Sequence, residues 1–101
     1  MKKINEQEFE SEIKEGIVLV DFFATWCGPC RMMSFVLEDF ADEMNDVKIL
    51  KIDVDECEKL ARKFGVMSIP TLVLFKNGKE VYKHVGLVQK DDLVKIVNKN
   101  I

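Results

Sequence analysis

Two cysteines separated by two residues, Cys27 and Cys30, are the side chains of this 101-residue chain whose type and spacing most directly indicate chemistry. Side chains three residues apart in a helical turn lie about 5 to 6 Å from each other, a separation that suits a disulfide. Pro29 fits the first position of a helix, and Gly28 allows a tight turn before it. The spacing therefore predicts a dithiol that closes to a disulfide without moving the backbone.

The cysteine pair is predicted to lie where a buried strand, residues 17–23, passes into a helix. Apolar residues recur at helical spacing after the pair, at Met33, Val36, Leu37, Phe40, Ala41 and Met44. Cys27 would then cap the helix, where the positive end of the helix dipole lowers the pKa of its thiol. We expect Cys27 to be the exposed, attacking sulfur and Cys30, one turn further in, to be the less exposed resolving thiol.

A zinc site and a purely structural disulfide are the other interpretations of the pair. Zinc normally takes four protein ligands, and the remaining candidates, Cys57 and His84, stand alone without ligand spacing. A disulfide that closes so small a loop constrains the unfolded chain little. Both alternatives are therefore disfavoured relative to redox chemistry.

Asp21 is the second residue with chemical interest, because both its neighbours in the predicted strand are apolar. A buried, unpaired carboxylate costs several kcal/mol, so burial would raise the pKa of Asp21 and suit it to proton exchange near neutral pH. The alternative is that Asp21 lies at an exposed edge of its strand.

The composition indicates one domain, residues 1–101, with 48% hydrophobic residues and a net charge of −3. The absence of a basic cluster argues against nucleic acid, and no segment approaches the roughly 20 apolar residues of a membrane span. The N-terminus becomes acidic after two lysines, so we expect no signal peptide and a cytoplasmic location. We also expect a monomer.

Strand and helix patterns alternate along the chain and predict an α/β fold with a mixed sheet covered on both faces. Asn5 and Glu8 are typical of a helix cap, and Asn77-Gly78 is typical of a tight hairpin. The predicted elements are a helix carrying Phe9 and Ile13, strands 17–23 and 47–53, a helix from Pro29, a helix 57–64, strands 71–76 and 80–85, and a helix from about Lys90 with Leu93, Ile96 and Val97 inward.

Five segments in order give the chain a resemblance to the thioredoxin family over nearly its whole length. They are 20–22 with the motif 26–30, then 51–55, 69–71, 75–78 and 85–86. The resemblance implies a thioredoxin-like fold with about five strands and four helices, including a short strand near residues 2–4.

The resemblance also implies roles for three further positions. Asp21 would lie behind the disulfide and take the proton of Cys30, and Lys51 would be the charge partner of that acid. Without the resemblance, Lys51 is interpreted as an ordinary surface lysine. A cis peptide is implied between Ile69 and Pro70, whereas the residue pattern alone fits a trans proline starting an edge strand.

A flat apolar surface around the attacking sulfur is implied as well. The backbone of Ile69 would pair there with an extended substrate segment, and Trp26, which could otherwise be a core residue, would contact the substrate. The residues of this surface are Trp26, Gly28, Pro29, Val66, Met67, Ile69, Pro70 and Gly86.

The implied activity is reduction of client-protein disulfides by two thiol–disulfide exchanges, without a cofactor and with a thioredoxin reductase as electron donor. A disulfide isomerase or oxidase and a non-catalytic binding subunit are the alternatives. A cysteine-protease pairing of Cys27 with His84 is disfavoured because no orienting third group is evident.

Four single residues complete the predictions. Phe35 stands where the family commonly has a proline, so either the long helix is straighter or Phe35 is partly exposed. Phe23 replaces a common tryptophan. Cys57 is interpreted as a small buried hydrophobe rather than a regulatory thiol, and His84 as a surface residue.

Overall fold

The computed structural model describes residues 1–101, which form a five-stranded sheet with two helices on each face. In chain order the elements are β1 (Lys2–Lys3), α1 (Phe9–Ile13), β2 (Ile17–Phe23), α2 (Gly28–Glu43), β3 (Val47–Asp53), α3 (Glu58–Lys63), β4 (Thr71–Lys76), β5 (Lys79–Val85) and α4 (Lys90–Asn100). The strand order is β1-β3-β2-β4-β5, with the first three parallel and β4 and β5 antiparallel to their neighbours. The predicted mixed sheet is confirmed.

The central strand β2 is buried on both faces, which is why it is apolar almost throughout. Val18, Val20 and Phe22 pack beneath α1 and α3, whereas Leu19 packs beneath α2 and α4. Successive side chains of a strand point to opposite faces. Asp21 therefore lies on the same face as Leu19, the face that α2 covers.

Two apolar clusters, one on each face of the sheet, form the core. Phe9 of α1 contacts the rings of Phe64 and Phe75 at centroid distances of 5.4 and 5.7 Å in the first cluster. Cys57 belongs to this cluster and is 2% exposed, which confirms its interpretation as a buried hydrophobe. The second cluster joins α2 and α4 to the sheet through Met33, Leu37, Phe40, Leu93 and Val97.

The predicted cap before α1 is present as a reciprocal pair of hydrogen bonds. The Asn5 N–H donates to Glu8 Oε1 at 3.0 Å, and the Glu8 N–H donates to Asn5 Oδ1 at 2.9 Å. The helix itself begins at Phe9, and both Phe9 and Ile13 are buried. The capping residues therefore mark the entry to α1, as the sequence predicted.

The ends of several elements differ slightly from the predicted bounds. The helix predicted over residues 57–64 is shorter because Cys57 and Phe64 are its two cap residues. Helix α2 begins at Gly28 and strand β5 at Lys79, each one residue earlier than predicted. Asn77 and Gly78 have φ angles of 50° and 85° and form the two-residue turn between β4 and β5.

Phe35 lies on the solvent side of α2 and is 67% exposed. The helix extends without interruption from Gly28 to Glu43 through this position.

Of the inward residues predicted for α4, Leu93 and Val97 are buried, whereas Ile96 is only half-buried. None of the four helices has the length and apolar character that crossing a bilayer requires.

Candidate active site

Cys27 and Cys30 are joined as a disulfide at the point where the chain leaves β2 and enters α2. Their Cα atoms are 5.3 Å apart. Cys27 is the N-cap of α2, and its Sγ accepts the backbone N–H of Cys30 at 3.2 Å. Pro29 stands in the first turn, where its missing N–H leaves no partner unsatisfied. The predicted strand-to-helix placement and the cap are confirmed.

Both cysteines are buried in this disulfide form, with Cys27 5% and Cys30 3% exposed. The prediction that Cys27 is exposed is therefore wrong. The reason is that Ala24 packs with the two cysteines, and Phe23 and Ile69 lie against this small cluster.

The loop before β4 lies against the disulfide and contains a cis peptide between Ile69 and Pro70, as the resemblance implied. Cys27 Sγ is 3.9 Å from the Ile69 carbonyl oxygen. This is a contact and not a hydrogen bond, because a disulfide sulfur carries no hydrogen. The Ile69 N–H has no partner in the protein, and the Pro70 carbonyl accepts the N–H of Gly86 at 2.8 Å. The backbone of Ile69 is therefore available to pair with another chain.

Trp26 is an exposed residue, so the core interpretation of this side chain is wrong. It is 68% exposed, and its Nε1–H donates to Asp55 Oδ2 at 2.8 Å. The Asp55 N–H in turn donates to Asp53 Oδ1 at 2.8 Å. Asp55 was not singled out from the sequence, since nothing in its local pattern shows that it orients an indole 29 residues away.

The other residues of the implied surface differ in exposure. Met67 is 95% exposed, Pro29 is exposed, and Pro70 is buried. Gly28, Val66, Ile69 and Gly86 are half-buried. The loop that carries Met67 and Ile69 thus presents apolar atoms to solvent beside the disulfide.

Asp21 is fully buried, at 0% exposure, and neither of its carboxyl oxygens has a hydrogen-bond partner. Burial raises the pKa of Asp21 to about 6, and the positive charge of Lys51 opposes the rise. The predicted burial and raised pKa are confirmed. The exposed-edge alternative is wrong, because β2 lies between β3 and β4.

Lys51 lies directly across from Asp21 in the register of β2 and β3. Its ammonium donates to Ser34 Oγ at 2.6 Å and lies 4.6 Å from the centroid of the Phe23 ring. A cavity of about 110 Å³ adjoins these groups and is lined by Phe23, Ala24, Thr25, Cys30, Arg31, Ser34 and Lys51. Ser34 was not identified from the sequence, because a serine in a helix carries no signal of its partner.

His84 and Cys57 lie apart from this cluster. His84 lies on the edge strand β5, as predicted for a surface residue, and is half-buried because it lines a groove of about 670 Å³ between α2 and α4. One of its ring nitrogens is 3.2 Å from the Leu87 carbonyl oxygen. No group of three or more His, Cys, Asp or Glu side chains is arranged to hold a metal ion.

A disulfide at the start of a helix, above a mixed sheet and beside a cis-proline loop, defines the class of thiol–disulfide oxidoreductases. The Thioredoxin family model matches residues 1–99. The chain is 54% identical over 97 residues to a protein named Thioredoxin from Chlamydia muridarum, covering 96% of this chain and 95% of that protein. It is 51% identical over 100 residues to Thioredoxin from Bacillus subtilis, covering 98% and 96%.

The chain therefore belongs to the thioredoxin family. It is a protein-disulfide oxidoreductase that reduces disulfides of client proteins by dithiol–disulfide exchange through Cys27 and Cys30. Members of the family use their own dithiol and need no cofactor.

Proposed function

We propose that this protein works as an electron carrier in the cytoplasm, where a thioredoxin reductase returns Cys27 and Cys30 to the dithiol. The observation that carries the exchange chemistry is the Cys27 sulfur at the N-cap of α2, where it accepts the N–H of Cys30. A working dithiol needs a reducing compartment and an electron donor. We further propose that residues 1–101 form a single domain that acts as a monomer.

In the first exchange, the Cys27 thiolate attacks one sulfur of a client disulfide. A Cys27–client disulfide bond forms, the client S–S bond breaks, and the other client sulfur leaves as a thiolate. The N–H groups and dipole at the start of α2 favour the negative charge on Cys27 in the reduced protein. This is why Cys27, rather than Cys30, is the attacking sulfur.

In the second exchange, the Asp21 carboxylate accepts the proton of the Cys30 thiol. The Cys30 thiolate attacks Cys27 Sγ, the bond between Cys27 and the client breaks, and the client leaves as a thiolate. The client disulfide has then gained two electrons, and Cys27 and Cys30 have lost two. The role of Asp21 is supported by its burial, its raised pKa and its place on the face that α2 covers. Lys51, the register partner of Asp21, acts on that acid through its charge and not through a hydrogen bond.

The client is held by its backbone. An extended client segment pairs with the Ile69 N–H and carbonyl, in the manner of an added strand. This is supported by the absence of a protein partner for the Ile69 N–H and by the contact between Ile69 and Cys27. The apolar surface that receives the client consists of Trp26, Gly28, Pro29, Val66, Met67, Ile69 and Gly86, and the predicted member Pro70 is buried beneath it.

The first experiment is the equilibrium reduction potential of the Cys27–Cys30 pair in a defined thiol buffer. Potentials of about −270 mV are typical of thioredoxins and about −180 mV of protein disulfide isomerase. We expect a value near the lower figure. A value near or above the higher figure would indicate an isomerase or oxidase, and the lack of a reversible two-electron couple would leave only a binding subunit. Cys57→Ser is the control, since it should leave the potential unchanged.

A further inference from the structure

The Lys51 ammonium is hydrogen-bonded to a helix hydroxyl, although an unpaired carboxyl group stands across from it in the sheet. Lys51 and Asp21 are partners in the register of β2 and β3, yet both Asp21 oxygens are without a hydrogen-bond partner. The ammonium instead donates to Ser34 Oγ at 2.6 Å. The hydroxyl and the carboxyl group are therefore competing acceptors for the same cation.

Ser34 lies one helical turn beyond Cys30 on α2 and is half-buried. Residues four apart share one face of a helix, so Ser34 and Cys30 both line the small cavity that Lys51 also borders. The Phe23 ring, 4.6 Å from the ammonium, contacts the cation as well. Lys51 is thus held by a hydroxyl from the helix and a ring from the end of β2.

We propose that Ser34 is a positioning residue whose hydroxyl holds the Lys51 ammonium away from the Asp21 carboxyl group. Asp21 is then left unpaired, which keeps it basic enough to take the proton of Cys30. The claim that Asp21 takes this proton rests on its proposed role in the second exchange. The claim that Ser34 positions Lys51 depends only on the geometry of Ser34, Lys51 and Asp21.

The expected direction follows from charge and burial. An opposite charge within about 4 to 6 Å lowers the pKa of a carboxyl group by about 1 to 3 units. Without the Ser34 hydroxyl, the ammonium loses the acceptor it now uses, and the buried Asp21 carboxylate becomes the strongest acceptor near it. Lys51 is the charged group that opposes the raised pKa of Asp21. The other titratable or charged residues on this face include Lys3 of β1, Asp53 of β3, Cys30 and Arg31 of α2, Tyr82 and His84 of β5, and Asp92 of α4.

The test is the titration of the Asp21 carboxyl carbon by NMR in the oxidised protein, compared between the parent, Ser34→Ala and Ser34→Thr. The parent is expected to titrate near pH 6. Ser34→Ala should titrate about one pH unit lower, and Ser34→Thr, which keeps a hydroxyl, should titrate with the parent. Alanine is the better helix former, so Ser34→Ala is expected to fold, and a thermal melt verifies this.

The same substitution made in a Lys51→Met variant distinguishes a positioning role of Ser34 from a general change in packing around Asp21. In Lys51→Met no cation remains to move, so adding Ser34→Ala should leave the Asp21 titration unchanged. The proposal is overturned if Ser34→Ala titrates with the parent, or if its shift persists in the Lys51→Met background.

The rate of the second exchange, measured from a preformed mixed disulfide with Cys27, tests the part that rests on Asp21. We expect the acid limb of the pH–rate profile to move to lower pH by the same amount as the titration. A shifted titration with an unshifted rate profile would contradict the role of Asp21, while the assignment of Ser34 as the residue that positions Lys51 would stand.

Discussion

Replacing Asp21 by Asn should make the oxidised protein more stable at neutral and alkaline pH, although the variant loses a group of the active site. Asp21 is fully buried, and its oxygens have no partner. Asn has nearly the same shape but no charge. The native protein then no longer has to accommodate a buried carboxylate above the pKa of Asp21.

The magnitude follows from the two pKa values of the group. Burial raises the pKa of Asp21 from an ordinary 3.8 to about 6, and each unit is worth about 1.4 kcal/mol. Between these two values the folded state binds more protons than the unfolded state, so stability falls as pH rises. The favourable contribution of protonated Asp21 to the free energy of unfolding is complete below pH 3.8 and is lost as pH passes about 6. The loss is about 3 kcal/mol.

The assay is urea denaturation of the oxidised parent and Asp21→Asn between pH 3.5 and pH 8, at roughly half-unit intervals. The two free energies of unfolding should agree at the acid end and diverge until Asp21→Asn is about 3 kcal/mol more stable at pH 8. Asp39 is an exposed acid on α2, so Asp39→Asn is the matched control. Its free energy of unfolding should change with pH in the same way as that of the parent. A difference between parent and Asp21→Asn that does not change with pH would refute the reasoning.

Three further substitutions test the core, the first cap and the client surface. Phe40→Ala removes a fully buried ring from the cluster beneath α2 and α4 and should lower the free energy of unfolding by about 3 to 5 kcal/mol; a loss below about 1 kcal/mol would show that the ring is poorly packed. Asn5→Ala removes the acceptor of the Glu8 N–H and should cost about 1 kcal/mol in the same assay, whereas the exposed Asn98→Ala should cost less. Trp26→Ala should change stability by less than about 0.5 kcal/mol but slow the reduction of a protein disulfide, and an unchanged rate would remove Trp26 from the client surface.

The elements of this fold were predictable because their signals are local. Strand β2 has the bounds predicted from its apolar run, and the Asn77-Gly78 turn has the positive φ angles that its residue types favour. The cap formed by Asn5 and Glu8 joins residues that are only three positions apart. The bounds of α3 differed by one residue at each end, because its cap residues Cys57 and Phe64 carry the same apolar character as the buried face of the helix between them.

The parts that could not be predicted depend on which distant side chains meet after folding. Ser34 and Lys51 are 17 residues apart, and no periodicity of either segment pairs them. The burial of Cys27 also escaped prediction, because it results from the loop around Ile69 closing over the disulfide. The cis peptide before Pro70 was reached through the family resemblance, since cis bonds are a small minority of all X-Pro bonds.

Both edges of the sheet carry charge, and this restricts how the protein can assemble with strands of other chains. One edge, β1, consists only of Lys2–Lys3, and the other, β5, carries Lys79, Glu80 and Lys83 on exposed positions. Charged and very short edge strands resist edge-to-edge pairing, which is a common route to aggregation. The backbone of Ile69, beside the disulfide, lies outside both edge strands, and its N–H has no partner in the protein. Pairing of a client strand with Ile69, as proposed above, would leave both charged edges of the sheet uninvolved, so that the sheet itself would not become a template for aggregation.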